Sequence, residues 1–212
     1  LPYLEKVDVT EKKQEAGFYM PVQRVCRPDH TFRGFQGQIE SGEVKVGDEI
    51  VTLPSNEHAH IKSILVGDKD SQSAFMGQPV TLQLDKEVDV SRGCVIASGN
   101  NLPISKSFTA TILWMDDEEL TPGTDYLVKL GTKQIPGILK NIQYKIDVNT
   151  GEFIPAGQLK KNEIAVCDLD LQEPVVIDEF KKHKTLGELI LIDRISNMTS
   201  ACGVVELSLI HI

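Results

Sequence analysis

His58 and His60 stand one residue apart, so on a strand both would point to one face. An H-x-H pair can begin a metal site, but no third or fourth ligand is evident nearby. Structural surface histidines are the plainer reading. Cys26 and His30 have the spacing of half a site, yet Pro28 and Asp29 between them favour a turn. The run Asp116-Asp117-Glu118-Glu119, after Trp114-Met115, lacks the ligand spacing of a calcium loop. It reads as a solvated turn between strands or as a partner-facing acidic loop. Gly131-Thr132-Lys133 is the nearest approach to a phosphate-cradling loop. It lacks the leading glycine at the right distance and a Ser or Thr after the lysine, so backbone N–H groups could not grip phosphates in that manner. There is no GxGxxG fingerprint, no nucleophile elbow and no defensible Ser-His-Asp order. No catalytic, cofactor-binding or metal-binding residue is therefore expected in this chain.

Charge narrows the partners. The chain of 212 residues has a net charge of -9. Nucleic-acid binding relies on Lys and Arg neutralising phosphates, so this balance argues against a dedicated nucleic-acid binder. Lys12-Lys13, Lys160-Lys161 and Lys181-Lys182-His183-Lys184 are isolated basic runs. They are either solvated loop charges or a docking patch for an acidic partner. No apolar run approaches the roughly 18 residues that a membrane-spanning helix needs. The cysteines Cys26, Cys94, Cys167 and Cys202 lie far apart with no CxxC pair. Cys94 and Cys167 sit inside apolar runs and read as small buried hydrophobes. A reducing, cytoplasmic setting fits them.

The elements that must position these residues are strands. Short segments rich in Val, Ile, Thr and Phe recur at close spacing, punctuated by Gly, Pro, Asn and Asp. Phe18–Val25, Glu49–Leu53, Ile61–Val66 and Phe108–Trp114 are examples. No stretch holds a helical apolar period over 12 or more residues. The expectation is an all-β chain of barrels or sandwiches. The turn cluster Ser98-Gly99-Asn100-Asn101 divides it. Residues 1–14 read as an exit segment from a missing upstream domain, 15–102 and 103–206 as two barrels, and 207–212 as a vector-derived tail outside the fold.

The run from Phe32 to Val51 is the most specific signal. Phe35, Gly37 and Ile39 share one strand face, Ser41-Gly42 turns the chain, and Val44 and Val46 resume an apolar face before Gly47-Asp48 breaks it. Gly34 and Gly37 suggest a bulge or a close backbone approach.

This hairpin resembles domain II of elongation factor Tu-like GTPases, through Gly37, Ile39, Ser41, Gly42, Lys45, Gly47 and Asp48, with Arg92-Gly93 as that domain's closing element. A finer resemblance is to the large subunit of bacterial sulfate adenylyltransferase. It is carried by Pro21-Val22-Gln23, Arg27-Pro28, Phe32-Arg33-Gly34 and Leu53-Pro54-Ser55, then Trp114, Pro122-Gly123, Gly131-Thr132, Tyr144 to Asn149 and Gly187 to Asp193. Asn56 stands where that pattern has glycine.

The resemblance implies two consecutive barrels, like domains II and III of elongation factor Tu, beneath a GTPase domain this chain lacks. GTP and Mg²⁺ would belong to that upstream domain, and ATP to a catalytic small subunit that forms adenosine 5′-phosphosulfate and pyrophosphate from ATP and sulfate. The barrels would couple the two. Phe32, Arg33, Phe35 and Arg92 are candidate interface residues; core packing for the Phe side chains, and an internal hydrogen bond or exposed charge for the Arg side chains, are the alternatives. A second reading, domains II and III of a tRNA-binding translation factor, is disfavoured by the acidic balance. A third, a structural scaffold, is left open.

Overall fold

The computed structural model describes residues 17–29, 32–99 and 101–209. His30, Lys12-Lys13, the segment 1–14 and residues 210–212 lie outside them. The all-β expectation holds: among the described residues one helical turn, α1 (Lys184–Gly187), accompanies two large antiparallel sheets and a two-stranded ribbon.

The first sheet forms from β1 (Phe18–Pro21), β2 (Arg24–Cys26), β3 (Gly34–Gln38), β5 (Glu49–Leu53), β6 (Glu57–Val66), β9 (Pro79–Leu84) and β10 (Val95–Ser98), with β7 (Lys69–Ser71) on β6. A small ribbon of β4 (Glu43–Lys45) and β8 (Ser73–Phe75) adjoins it. The expected single run Phe18–Val25 breaks in the middle, and the break closes the barrel. β1 pairs with β10 at one end of the sheet, and β2 pairs with β3 at the other. Val22 donates to the Cys94 carbonyl and Gln23 to the Gln36 carbonyl, both at 2.8 Å, so the chain changes partner between adjacent residues. A strand switching partners is how antiparallel sheets turn a corner.

The expected hairpin does not form: β3 pairs with β2 and β9, and β4 pairs with β8, so the strands on either side of Ser41-Gly42 are not partners, although the turn and most of the apolar face are kept. Phe35, Ile39 and Val44 are buried, but Val46 faces outward. β4 stops at Lys45, whose N–H donates to Asp48 Oδ2 at 2.8 Å, and strand alternation ends there. Gly42 and Gly47 have φ of +72° and +93°, which a side chain would strain. Gly37 serves a close approach: a Cβ would strike the Pro21 carbonyl, and the β3 register shows no bulge.

Residues 101–103 lead into the second barrel. Its strands are β11 (Ile104–Trp114), β12 (Asp125–Leu130), β13 (Lys133–Ile146), β14 (Phe153–Ile154), β15 (Ile164–Val176), β16 (Glu188–Asp193) and β17 (Thr199–Leu209). The order β12-β16-β17-β11-β15-β13 closes because β13 also pairs with β12. Residues 207–209, set aside from the fold on their sequence, continue β17 against Thr109, Phe108 and Ser107. Each barrel has its own core, one around Phe35, Ile61 and Leu82, the other around Phe108, Trp114 and Leu169.

Candidate functional site at the joint between the barrels

Three strands of the first barrel are apolar on both faces. β1 turns Phe18 and Met20 into the barrel and Tyr19 out; β10 turns Ile96 in and Val95 and Ala97 out; β5 turns Ile50 in and Val51 and Leu53 out. A sheet face in contact with water would carry polar residues at the outward positions. These positions are apolar because the second barrel covers them. They pack with Leu102 and Ile104 and with Val176 and Leu186 in one cluster.

Polar contacts ring that cluster. The Thr132 hydroxyl, in the β12–β13 turn, donates to the Val22 carbonyl at 3.1 Å. The Thr132 carbonyl in turn accepts from Arg92 Nε at 3.2 Å. Gly93, at φ +95°, lies so close to Lys133 that a Cβ would collide with it. On the other side the Tyr19 hydroxyl meets Thr185 Oγ1 at 3.3 Å. The His183 ring stands edge-on to Tyr19, with centroids 5.1 Å apart, and its Nδ1 lies 2.8 Å from Asp178 Oδ2. Both side chains of that contact are largely buried. A cavity of about 20 Å³ between the two sides has Pro21, Gly131 and Val175 in its lining. Chemically, the joint can transmit position: it fixes one barrel against the other.

The sequence candidates fall in different places. Arg92 is at the joint. Arg33 is tied within the first barrel: its guanidinium reaches Glu87 Oε2 (2.6 Å) and the carbonyls of Val88 (2.9 Å) and Val90 (3.1 Å), and lies over the Phe35 ring. That contact, with Arg27, holds the Glu87 carboxyl below its usual range. Phe35 is 1% exposed and packs in the barrel core, so it cannot touch a partner; inward alternation of β3 puts it there. Phe32 is half-buried against Gly34.

The joint brings in residues that were read otherwise. His183 belongs to a run expected as solvated charge or docking patch, and instead packs on Tyr19. Gly131-Thr132, the imperfect phosphate-loop fragment, forms the turn that reaches Val22. One signal was present in the sequence: the outward positions Tyr19, Val51, Leu53, Val95 and Ala97 are apolar or aromatic.

The remaining clusters are held locally. His58 pairs with Glu49 and His60 with Asp85, each at 3.1 Å. Among the described residues no group of three or more His, Cys, Asp or Glu is placed to hold a metal ion. In the acidic run, Asp116 accepts from Ser200, and Asp117 and Glu119 pair with Lys161 and Lys160. Cys94 and Cys167 are buried, and burial pushes the Cys167 thiol up to about 12.

Comparison with known proteins follows from this geometry. Residues 107–206 match the family model "GTP-eEF1A C-terminal domain-like". Two solved structures of sup35, complexed with GMPPNP and with GDP, superpose with TM-scores of 0.87 and 0.88 at 24% identity. Each match covers 99% of this chain and about half of the other (51% and 52%), and establishes the fold. Sulfate adenylyltransferase subunit 1 of Teredinibacter turnerae is 41% identical over 94% of the chain, and that of Shewanella woodyi 41% over 97%. Over the two barrels, this chain belongs to the sulfate adenylyltransferase subunit 1 family. A protein of Xylella fastidiosa named bifunctional enzyme CysN/CysC is 40% identical over 97% of the chain. The chain spans 43%, 44% and 33% of these three relatives.

Asn56, where the resemblance has glycine, sits at φ +58°. Asn is among the few non-glycine residues that tolerate this region, so it can hold a turn that glycine would also fit. No helix among the described residues is long and apolar enough to cross a membrane.

Proposed function

We propose that these barrels are the coupling platform of a GTP-hydrolysing sulfate adenylyltransferase large subunit. The observation that carries this reading is identity of about 40% to subunit 1 proteins along nearly the whole chain. In this reading an upstream domain binds GTP and Mg²⁺, and a small subunit binds ATP and sulfate and forms adenosine 5′-phosphosulfate and pyrophosphate. Hydrolysis of GTP drives that unfavourable step in cytoplasmic sulfate assimilation. A nucleotide can drive a partner only if it changes contacts between two states. The barrels contribute stiffness: a movement at the first barrel reaches the second without loss, because an apolar cluster and four side chains (Tyr19, Arg92, Thr132 and His183) tie them.

The test uses the full-length subunit with its small subunit. Loosening the joint with Thr132→Val plus Arg92→Ala lowers GTP-dependent formation of adenosine 5′-phosphosulfate and leaves GTP hydrolysis in place. Synthesis in the unsubstituted complex that ignores GTP overturns the reading.

A further inference from the structure

The outer face of the second barrel carries the same pattern that marks the joint, and no strand among the described residues covers it. β16 reads Glu-Leu-Ile-Leu-Ile-Asp: Leu189 and Leu191 enter the core, and Ile190 and Ile192 point out. Strand pairing aligns Lys129 with Ile190, Ile190 with Cys202, Cys202 with Leu113, and Leu113 with Ile164. One continuous row thus crosses five strands, β12, β16, β17, β11 and β15. Four inter-strand steps of about 4.8 Å make it roughly 20 Å long. With Val204 and Phe180 these side chains line an open trough of about 530 Å³. In the first barrel, strands apolar on both faces are those the second barrel covers. By the same physics this row is built to be covered.

We infer that this trough docks the catalytic small subunit, through a segment about 20 Å long that presents aliphatic side chains, with a carboxylate opposite Lys129 and a cation opposite Glu188. The inference rests on the subunit reading above. Charge argues for the occupant: Lys129 and Glu188 both line the trough, and neither has an ion-pair partner among the described residues. The trough also runs on from the joint, because Gly131 lines both it and the cavity between the barrels. A partner seated there would touch the second barrel beside the turn that holds the first. An enclosed small-molecule site would instead bury most of its ligand and converge several polar groups on it, and an open sheet face does neither.

The experiment measures binding of this chain to the small subunit by calorimetry, comparing Ile190→Asp, Lys129→Glu and, on another stretch of surface, Gln172→Asp. Both trough positions point outward, so the unfolding midpoints stay close to that of the unsubstituted chain. The expected result is about tenfold weaker binding for Ile190→Asp, as for a central contact residue, and a several-fold loss for Lys129→Glu, with Gln172→Asp unchanged. If Ile190→Asp does not fold, Lys129→Glu carries the test. Unaltered binding by both trough variants overturns the surface and leaves the partner reading standing. Absence of binding by the unsubstituted chain, when the full-length subunit binds, overturns the docking proposal; absence in both overturns the partner reading as well. Self-association of this chain that Ile190→Asp abolishes assigns the trough to a second copy and also overturns it.

Discussion

The Thr132 hydroxyl donates to the Val22 carbonyl at 3.1 Å, across 110 residues of sequence and from one barrel to the other. Val22 is the residue at which the first barrel's chain changes strand partner, so its N–H is committed to Cys94. The corner that closes one barrel is therefore also the point where the other is fastened.

Thr132→Val keeps the side-chain volume and removes the donor. A typical net hydrogen bond contributes about 1 kcal/mol, and the Val22 carbonyl is not stranded by the change because it still accepts from the Gly93 N–H at 2.9 Å. A destabilisation of about 1 kcal/mol in urea unfolding is expected. An unchanged midpoint would show that water replaces the hydroxyl at no cost.

Leu102 tests the apolar part of the joint. It is 6% exposed and sits in the linker itself. Leu102→Ala leaves a cavity in the seam and should cost about 2–4 kcal/mol. Because each barrel has a separate core, the variant should unfold in two calorimetric transitions where the parent shows one. A single transition at the parental midpoint contradicts the seam as described.

Gly131-Thr132-Lys133 also yields a ligand prediction. The Thr132 side chain and carbonyl are engaged at the joint, and the turn has no leading glycine to expose further N–H groups. Titrating GTP into this chain should give no saturable heat. Micromolar binding would require a phosphate site unlike the usual loop.

The sequence carried the class of fold and many of its strands because both depend on local alternation and turn chemistry. Glu49–Leu53 is a strand with the predicted ends, and Asp147 caps its turn by accepting from Asn149 and Thr150. The joint was opaque for the opposite reason. Tyr19 and Thr185 meet across 166 positions, and nothing local distinguishes His183 from the lysines beside it. β13 and β15 run 14 and 13 residues, longer than their apolar stretches, and charged side chains between those stretches face each other across the sheet, as Lys140 does Asp170. Phe35, a candidate interface residue with core packing as the alternative, takes the alternative, because its own alternation points inward.

Asn56 offers a backbone test. At φ +58° an ordinary side chain is strained, whereas glycine is not. Asn56→Gly should be nearly neutral, and Asn56→Ala should cost about 1 kcal/mol, read from thermal unfolding. Equal stability of the two variants would mean that the turn relaxes out of the left-handed region.

The ion pair between Lys145 and Glu163 sets a pH dependence. Lys145 Nζ lies 2.7 Å from Glu163 Oε1, and the Lys160 N–H donates to Oε2 at 2.8 Å. The Lys145 contact, followed by the Lys160 N–H, holds the Glu163 carboxyl below its usual range. A carboxyl whose folded pKa is depressed stabilises the fold above its unfolded value, about 4.3, and that contribution is lost as pH falls through the folded value. Glu163→Gln should therefore melt below the parent at pH 7, and the gap should narrow steadily as pH drops from about 6 to about 3. Lys145→Met should narrow the same gap, because it removes the main cause of the depression. A Glu163→Gln deficit that stays constant across this range would mean that Glu163 acts through packing and not through its charge.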